Sequence, residues 1–187
     1  MTRIISGRAG SITLEVPEAG TRPTSDRVRE SLFGALESAD SLQGAAVLDL
    51  YAGSGALGLE AISRGAASAD LVEKSPRAVA IVERNVAKVV KSVGRGVAVR
   101  VHRSTASAFL GGVCGPFDLV FLDPPYDLEE PELTHALELL TPSLAPAATV
   151  IIERAARSAK PVLPDRWAHS RDRRYGDTVL WWVGCAD

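Results

Sequence analysis

This chain of 187 residues has little cysteine, no long apolar run and no strong charge of either sign. Its two cysteines, Cys114 and Cys185, lie far apart and match no metal or redox spacing, so a reduced, cytoplasmic protein is expected. No apolar run approaches the ~20 residues of a membrane span, and the N-terminus lacks the apolar segment of a signal peptide, so no membrane partner is expected. The formal net charge of −2 gives no overall basic surface, so any contact with nucleic acid must come from local clusters.

Histidine is scarce as well. The three histidines, His102, His135 and His169, have no spacing typical of a metal site or a catalytic triad. We therefore expect structural or surface roles for them, and no metal. The pair Trp181-Trp182, near the C-terminus, is expected to fill the core and the sheet edge.

What is present is the composition of an ordinary globular protein, 46% hydrophobic and 24% charged, in a chain of single-domain length. From residue 46 onward, short apolar segments alternate with amphipathic ones. The pattern predicts helices over 56–64, 78–90, 105–110 and 131–140, and strands over 46–51, 69–73, 97–102, 118–123 and 149–153. This alternation predicts an α/β fold with a parallel sheet, right-handed crossovers and helices on both faces.

The two ends of the chain depart from this alternation. Residues 1–38 are predicted as an N-terminal extension to the main domain of residues 39–187. The extension carries a short hairpin, around 3–5 and 11–16, and an amphipathic helix over 26–38 with N-cap candidates Thr24, Ser25 and Asp26. At the other end, 166–174 and 178–183 flank turn residues and predict an antiparallel hairpin on the sheet edge.

A glycine loop, Asp49–Gly58, follows the first strand of the alternating region. Gly53 and Gly55 permit a tight turn and a close approach of the backbone to a ligand, and Gly58 lets the next helix pack against the strand. Glu73 ends the following strand, where a carboxylate can accept hydrogen bonds from both hydroxyls of a ribose. The loop therefore indicates a nucleoside site, although such loops also occur in dinucleotide enzymes and as purely structural turns.

A second loop, Asp123-Pro124-Pro125-Tyr126, closes another apolar strand 74 positions after the glycine loop begins. An exocyclic base amine is a poor nucleophile because its lone pair is delocalised into the ring, and acceptors for its N–H groups can orient the nitrogen. The Asp123 carboxylate and the Pro124 carbonyl can accept such bonds, and Tyr126 can stack on a planar target. Asp123 or water can take the released proton, so no metal is required. The alternative is a proline-rich turn that ends a core strand.

Together, the two loops are typical of enzymes that methylate a planar nitrogen. The first loop would hold the methyl donor, S-adenosylmethionine, with Asp49 near the amino-acid end of that donor, and the second would hold the amine. We predict catalytic roles for Asp123, Pro124 and Tyr126. The predicted cofactor-binding residues are Asp49, Tyr51, Gly53, Gly55, Gly58, Glu73, Lys74 and Thr105.

These motifs resemble those of the RsmD family, bacterial methyltransferases that modify guanine N2 in 16S ribosomal RNA. The resemblance covers nearly the whole chain and includes Arg3–Gly7, Arg22–Glu30, both loops and Tyr175–Thr178. It implies a Rossmann-like class I fold with a mostly parallel seven-stranded sheet, S-adenosylmethionine as donor, and guanine 966 of the 16S RNA as target. One departure is that Arg103–Ala106 stands where many methyltransferases carry an aspartate for the cofactor adenine. A backbone contact or the Thr105 hydroxyl would serve there instead.

Basic residues cluster in two segments, although the total charge is acidic. Residues 1–29 and 154–174 are both rich in arginine and could contact phosphates at the mouth of the site, whereas a solvated charged face is the alternative for either segment. The predicted RNA contacts are Arg3, Arg8, Arg22, Arg27, Arg29 and Arg174. A stacked base cannot reach such a pocket, so the target should be a loop nucleotide that is flipped out.

The sequence thus predicts a cytoplasmic ribosomal RNA methyltransferase, monomeric by default, that acts on 16S RNA in a partly or fully assembled small subunit. Methylation of another amine, such as adenine N6 or a protein glutamine, is the alternative within the class. An RNA-binding ribosome assembly factor is the alternative outside it, and a nicotinamide-dependent oxidoreductase ranks third.

Overall fold

The computed structural model of the protein describes residues 2–17, 25–112 and 115–185. Within these ranges the helices are α1 (Asp26–Ser38), α2 (Ala56–Ser63), α3 (Pro76–Val93), α4 (Ala106–Leu110) and α5 (Glu130–Leu140), which continues into a 3₁₀ turn (Thr141–Ser143). The strands are β1 (Thr2–Arg3), β2 (Thr13–Leu14), β3 (Ala46–Asp49), β4 (Ser68–Glu73), β5 (Ala98–Arg103), β6 (Phe117–Leu122), β7 (Leu144–Ala155), β8 (Trp167–Tyr175) and β9 (Thr178–Cys185). Each predicted helix and strand is confirmed, although several ends differ.

The described residues form a seven-stranded sheet in the order β5-β4-β3-β6-β7-β9-β8, beside the small β1-β2 pair. The strands β5, β4, β3, β6 and β7 run parallel, and β9 pairs antiparallel with both β7 and β8. This confirms the mostly parallel sheet with a terminal hairpin at its edge. The chain places β4 and β5 on one side of β3 and then returns to β6 on the other, so the strand order reverses between β3 and β6. Ligands of open α/β sheets bind beyond the carboxyl ends of the strands at such a point.

Successive residues of the parallel strands pack into different cores, one on each face of the sheet. Phe121 and Ile151 belong to the core beneath α1, α2 and α3, whereas Leu122 and Ile152 belong to the core beneath α4 and α5. The pleat of a strand causes this, because it points successive side chains to opposite faces. Burial on both faces explains why these strands are continuous apolar runs in the sequence.

Side-chain caps fix where the helices beside the site begin. Ser25 Oγ accepts a hydrogen bond from Val28 N (3.3 Å) and caps α1, while Thr24, another predicted cap, lies outside the described residues. Ser75 caps α3 in the same way, and Pro76 lies in its first turn as predicted. Each cap satisfies a backbone N–H of the first turn and so fixes the residue at which its helix begins.

A buried ionic network fastens the N-terminal segment to α2. Glu60 is fully buried, accepts hydrogen bonds from the N–H groups of Ile5 (2.7 Å) and Ser6 (3.0 Å), and pairs with Arg64 (2.7 Å). Arg29 is 1% exposed, donates to a carbonyl oxygen of β1 (2.8 Å) and lies 3.8 Å from Glu60. The prediction that Arg29 contacts RNA is therefore corrected, because its guanidinium is buried within this network. The division of the chain at residue 38 stays a prediction.

Candidate active site at the carboxyl edge of the sheet

A cleft of about 230 Å³ opens beyond the carboxyl ends of the parallel strands. Its walls come from the loops after β3, β4, β5 and β6 and from the start of α5. Of the eleven predicted catalytic and cofactor-binding residues, eight line this cleft: Tyr51, Gly53, Glu73, Lys74, Thr105, Asp123, Pro124 and Tyr126. The two motif loops, far apart in sequence, therefore meet at one cleft.

Gly55 and Gly58 do not line the cleft but shape the glycine loop from behind. A Cβ on Gly58 would overlap the side chain of Leu71, so only glycine lets α2 lie this close to β4, as predicted. Gly55 begins α2 with a φ of +79°, and a Cβ on it would point toward core side chains. Both glycines therefore act on the path of the chain, and their contact with the cofactor stays a prediction.

Asp49 ends β3 and is buried beneath the glycine loop, also outside the lining of the cleft. Its Oδ2 accepts a hydrogen bond from Gly58 N (3.1 Å), and its Oδ1 makes no hydrogen bond to any residue that the structure describes. Burial raises the pKa of Asp49 to about 7 against the lowering effect of the Gly58 hydrogen bond, and the charges of Asp123 and Glu73 act in the same direction as burial. Asp49 thus holds the start of α2, and its predicted place near the amino-acid end of the donor stays a prediction.

Glu73 braces the side of the cleft predicted to bind the cofactor. Its Oε2 accepts a hydrogen bond from Gly53 N (3.0 Å), and its Oε1 accepts one from Ser75 N (2.7 Å). A carboxylate has about four acceptor positions, so two further hydrogen bonds can be accepted, which matches the two hydroxyls of a ribose. Leu50 and Val72 line the cleft beside this carboxylate and supply apolar walls.

The loop after β5 forms the opposite wall, where no aspartate is present. Thr105 Oγ1 caps α4 by accepting from Ala108 N (3.2 Å), and its hydroxyl can still donate a hydrogen bond. The whole segment Ser104–Ser107 lines the cleft, as its position after a strand end could have indicated. Leu128 and Glu132 line it too, but they carry no motif, and sequence reasoning missed them.

The Asp123–Tyr126 loop is held at its far end and exposed at its tip. Leu128 N donates to a proline carbonyl of the loop (3.0 Å), and the buried Arg154 donates to Leu128 O (3.3 Å) and pairs with Glu130 (3.3 Å). The side chain of Tyr126, by contrast, is 54% exposed. The ring can therefore meet a planar target at the mouth of the cleft.

A second cleft, of about 450 Å³, lies on the other side of Tyr126. Arg157 and Arg174 line it beside Asp177, and Arg174 is exposed. Sequence analysis selected Arg174 as an RNA contact and included Arg157 only as part of the basic segment 154–174, so its place beside Arg174 and Tyr126 became clear only from the structure. The two guanidinium groups give this cleft the charge that a phosphate requires.

The other predicted RNA contacts have different surroundings. Arg3 has a side chain that is 65% exposed and lies 3.7 Å from Asp26, and Arg8 is exposed while donating to a carbonyl of α3 (3.3 Å). Arg27 is exposed on the first turn of α1, and Arg22 lies outside the described residues. Contact of these arginines with RNA stays a prediction.

Two of the histidines lie beside carboxylates: His102 Nε2 is 2.6 Å from Asp70, and His169 Nε2 is 3.1 Å from Asp172. Within the described ranges, no group of three or more His, Cys, Asp and Glu side chains is placed to hold a metal.

In the same ranges, no helix is long and apolar enough to cross a membrane. Trp182 is 4% exposed and packs in the core, as predicted.

Comparison with known proteins bears on the identity of this site. The family model described as "Conserved hypothetical protein 95" matches residues 2–184. The ribosomal RNA small subunit methyltransferase D of Escherichia coli strain K12 is 40% identical over 180 residues, which are 95% of this chain and 86% of that protein. The protein of the same name from Haemophilus influenzae is 31% identical over 177 residues, 93% of this chain and 89% of that protein.

Solved structures share the architecture over almost the full length of the chain. The structure of yhhF from Escherichia coli has a TM-score of 0.84 and 34% sequence identity, and the match covers 97% of this chain and 96% of that one. A protein from Thermus thermophilus has a TM-score of 0.77 and 29% identity, over 97% of this chain and 98% of the other. The similarity therefore includes the N-terminal segment and the terminal hairpin as well as the parallel sheet.

Proposed function

Since this chain belongs to the RsmD family of ribosomal RNA methyltransferases and has a Rossmann-like class I fold, we propose that it methylates the exocyclic N2 of guanine 966 in 16S ribosomal RNA, with S-adenosylmethionine as the donor. One observation carries this proposal: the glycine loop and the Asp123–Tyr126 loop line a single cleft. A donor held by the first loop and an amine held by the second would lie within reach of each other, as in-line transfer requires.

The donor side of the cleft suits a nucleoside with a charged tail. Glu73 offers acceptors for the ribose, and Leu50 and Val72 offer apolar surface for the sugar and the base. A Cβ on Gly53 would meet no atom closer than 4.0 Å, so the space above this residue is open to a ligand. Thr105 offers a hydroxyl toward the adenine. When bound, S-adenosylmethionine supplies an electrophilic methyl group on a sulfonium.

The amine side supplies hydrogen-bond acceptors and a stacking surface. The carboxylate of Asp123 and the carbonyl of Pro124 accept N–H bonds that lie in the plane of the base. The lone pair of the nitrogen then points out of that plane, toward the methyl group. Tyr126 holds the base by stacking, which is worth about 1–3 kcal/mol per base. As the N–C bond forms, the nitrogen becomes positively charged, and one of its protons passes to Asp123 or to water.

The substrate is proposed to be 16S RNA within a partly or fully assembled small subunit, with the target base flipped out of its stack. The formal net charge of −2 gives the protein limited capacity to hold RNA by charge alone, so a preformed RNA surface would help to present the base. The exposed arginines Arg3, Arg8, Arg27 and Arg174 would contact its phosphates. We further propose that the enzyme is monomeric and cytoplasmic, where its ribosomal substrate is found.

The test is methyl transfer from labelled S-adenosylmethionine to small ribosomal subunits taken from cells that lack this gene, followed by nucleoside analysis. We expect the label in N2-methylguanosine at a single position of the 16S RNA. Label in N6-methyladenosine or in protein glutamine would contradict the proposal and favour methylation of another amine. An absence of label, with S-adenosylhomocysteine still bound, would favour a role in ribosome assembly without catalysis.

A further inference from the structure

Glu153 stands beside Asp123 on the neighbouring strand. β6 and β7 are parallel and pair as far as Leu122 opposite Ile152, and Asp123 and Glu153 are the residues that follow this last pair. Residues opposite in a parallel pair point to the same face, and neighbouring strands are about 4.8 Å apart. The residues two positions earlier on each strand both pack beneath α1, α2 and α3, which fixes the face on which the two carboxylates lie.

A narrow notch between the strand ends shows that the two carboxylates share one surface. Asp123, Pro124, Tyr126 and Glu153 all line it, and its volume is about 10 Å³. Glu153 is 9% exposed, so most of this residue is shielded from solvent. Because Asp123, Pro124 and Tyr126 also line the donor cleft, the notch is immediately behind the predicted amine site.

We propose that Glu153 recognises the target base as guanine by accepting the hydrogen on its N1, while Asp123 and Pro124 hold its N2. Guanine presents N1–H and N2–H₂ side by side, so two adjacent acceptors match its edge. Adenine presents a ring nitrogen with a lone pair beside its amine, which a carboxylate repels. Both acceptors lie in the plane of the base and leave the N2 lone pair directed at the donor. This inference rests on the proposed function and adds the residue that selects the base.

The test compares two target bases in small subunits reconstituted with chemically altered 16S RNA. One carries guanine at the target position and the other carries 2-aminopurine, which keeps the exocyclic amine but has no hydrogen on N1. Wild-type protein, Glu153→Gln and Glu153→Asp are assayed for kcat/KM on both. Glu138→Gln is the matched control, because the Glu138 side chain is 61% exposed on α5 and lines neither the notch nor the cleft.

We expect wild-type protein and the control to prefer guanine by about 10- to 100-fold, because 2-aminopurine turns the lone pair of its N1 toward the Glu153 carboxylate and offers it no hydrogen. Glu153→Gln should lower kcat/KM on guanine by a similar factor and reduce the preference to about threefold or less, since its amide can donate to N1 of 2-aminopurine. Glu153→Asp retains the carboxylate and should retain the preference. The ratio within one variant does not depend on how much of that variant is folded.

An unchanged preference for guanine in Glu153→Gln would overturn the assignment of Glu153 and leave the proposed function intact. The second possible outcome is that wild-type protein binds S-adenosylhomocysteine but fails to methylate guanine in these subunits. The proposed function would then be wrong, and the role of Glu153 in reading guanine would be rejected with it.

Discussion

The glycine loop is braced by carboxylates from within the protein, whereas the Asp123–Tyr126 loop is exposed at its tip. Asp49 accepts the N–H of Gly58, and Glu73 accepts that of Gly53, so the chain of the first loop is fixed in its middle and at its end. In the second loop, Tyr126 is 54% exposed and stands between two open clefts. The side proposed to hold the donor is therefore fixed by contacts within the protein, while the side proposed to hold the amine is exposed.

This difference has a consequence for energetics. A preformed site binds its ligand with little loss of conformational freedom, so the donor should bind the protein without RNA. The exposed side can gain its remaining order only from contact with the substrate, by stacking on Tyr126 and by charge contacts at Arg157 and Arg174. Variants should accordingly separate donor binding from turnover.

Asp123→Ala should give the largest effect and separate the two sides most completely. Loss of an acceptor that orients the amine and can take its proton should lower kcat by about 10²- to 10⁴-fold. Binding of S-adenosylhomocysteine should change by less than about threefold, because the brace on the glycine loop is untouched. Single-turnover methylation and calorimetric titration measure the two quantities. A variant that retained wild-type kcat would remove Asp123 from the mechanism.

Asp49→Asn tests the brace through the pH dependence of stability. The pKa of Asp49 is raised by burial from 3.8 to about 7 in the folded protein. A group with a raised folded pKa stabilises the fold fully below its unfolded pKa, and this stabilisation is lost as the pH rises through its folded pKa. The free energy of unfolding should therefore fall between about pH 4 and pH 7, by up to about 4 kcal/mol. Urea titrations at several pH values should show this fall for the wild-type protein and a smaller fall for the variant. An equal dependence of the unfolding free energy on pH in both proteins would refute the raised pKa of Asp49.

Gly58→Ala tests the packing of α2 behind the donor site. The added methyl would overlap Leu71, so unfolding should become easier by about 1–3 kcal/mol and the affinity for S-adenosylhomocysteine should fall. Gly34→Ala is the matched control, since this glycine lies within α1 and a Cβ on it would meet no atom within 4 Å. That change should stabilise the protein by about 0.5–1 kcal/mol. Equal melting temperatures for the two variants would contradict the close approach of α2 to β4 at Gly58.

Arg174→Ala should give the smallest effect, confined to the exposed side. Loss of one phosphate contact should reduce the slope of log K against log salt for RNA binding by about one unit, without changing donor binding. Arg95→Ala is the control, because Arg95 is exposed between α3 and β5, away from both clefts. A salt dependence that changed equally in both variants would mean that Arg174 has no particular place in the RNA surface.

The features of this structure were predictable from the sequence to different degrees. Local patterns were sufficient for the strands and for both loops, because continuous apolar runs and glycine spacing are properties of neighbouring residues. The burial of Arg29 was not predictable, because its partner Glu60 lies on another helix, 31 positions along the chain, and only the tertiary fold brings them together. The early start of β7, at Leu144, was missed since Ala145–Ala148 shows no alternation and includes a proline.

Contacts that depend on strand register lay beyond sequence reasoning as well. Asp123 was found from its motif, whereas Glu153 has no motif and gains meaning only from the pairing of β6 with β7. Asp49 shows the opposite case, because its motif was recognised but its burial behind the loop was not. Motifs thus indicated which loops form the site, and the packing decided which of their side chains face it.

The most direct test of this account is calorimetric titration of S-adenosylhomocysteine, and separately of NAD, into the protein in the absence of RNA. A preformed donor site predicts saturable binding of one S-adenosylhomocysteine per chain and no binding of NAD. The melting temperature should rise with the concentration of S-adenosylhomocysteine and should not change with NAD. Binding of NAD, or binding of S-adenosylhomocysteine only after RNA is added, would contradict the claim that the glycine loop forms a donor site built in advance of the substrate.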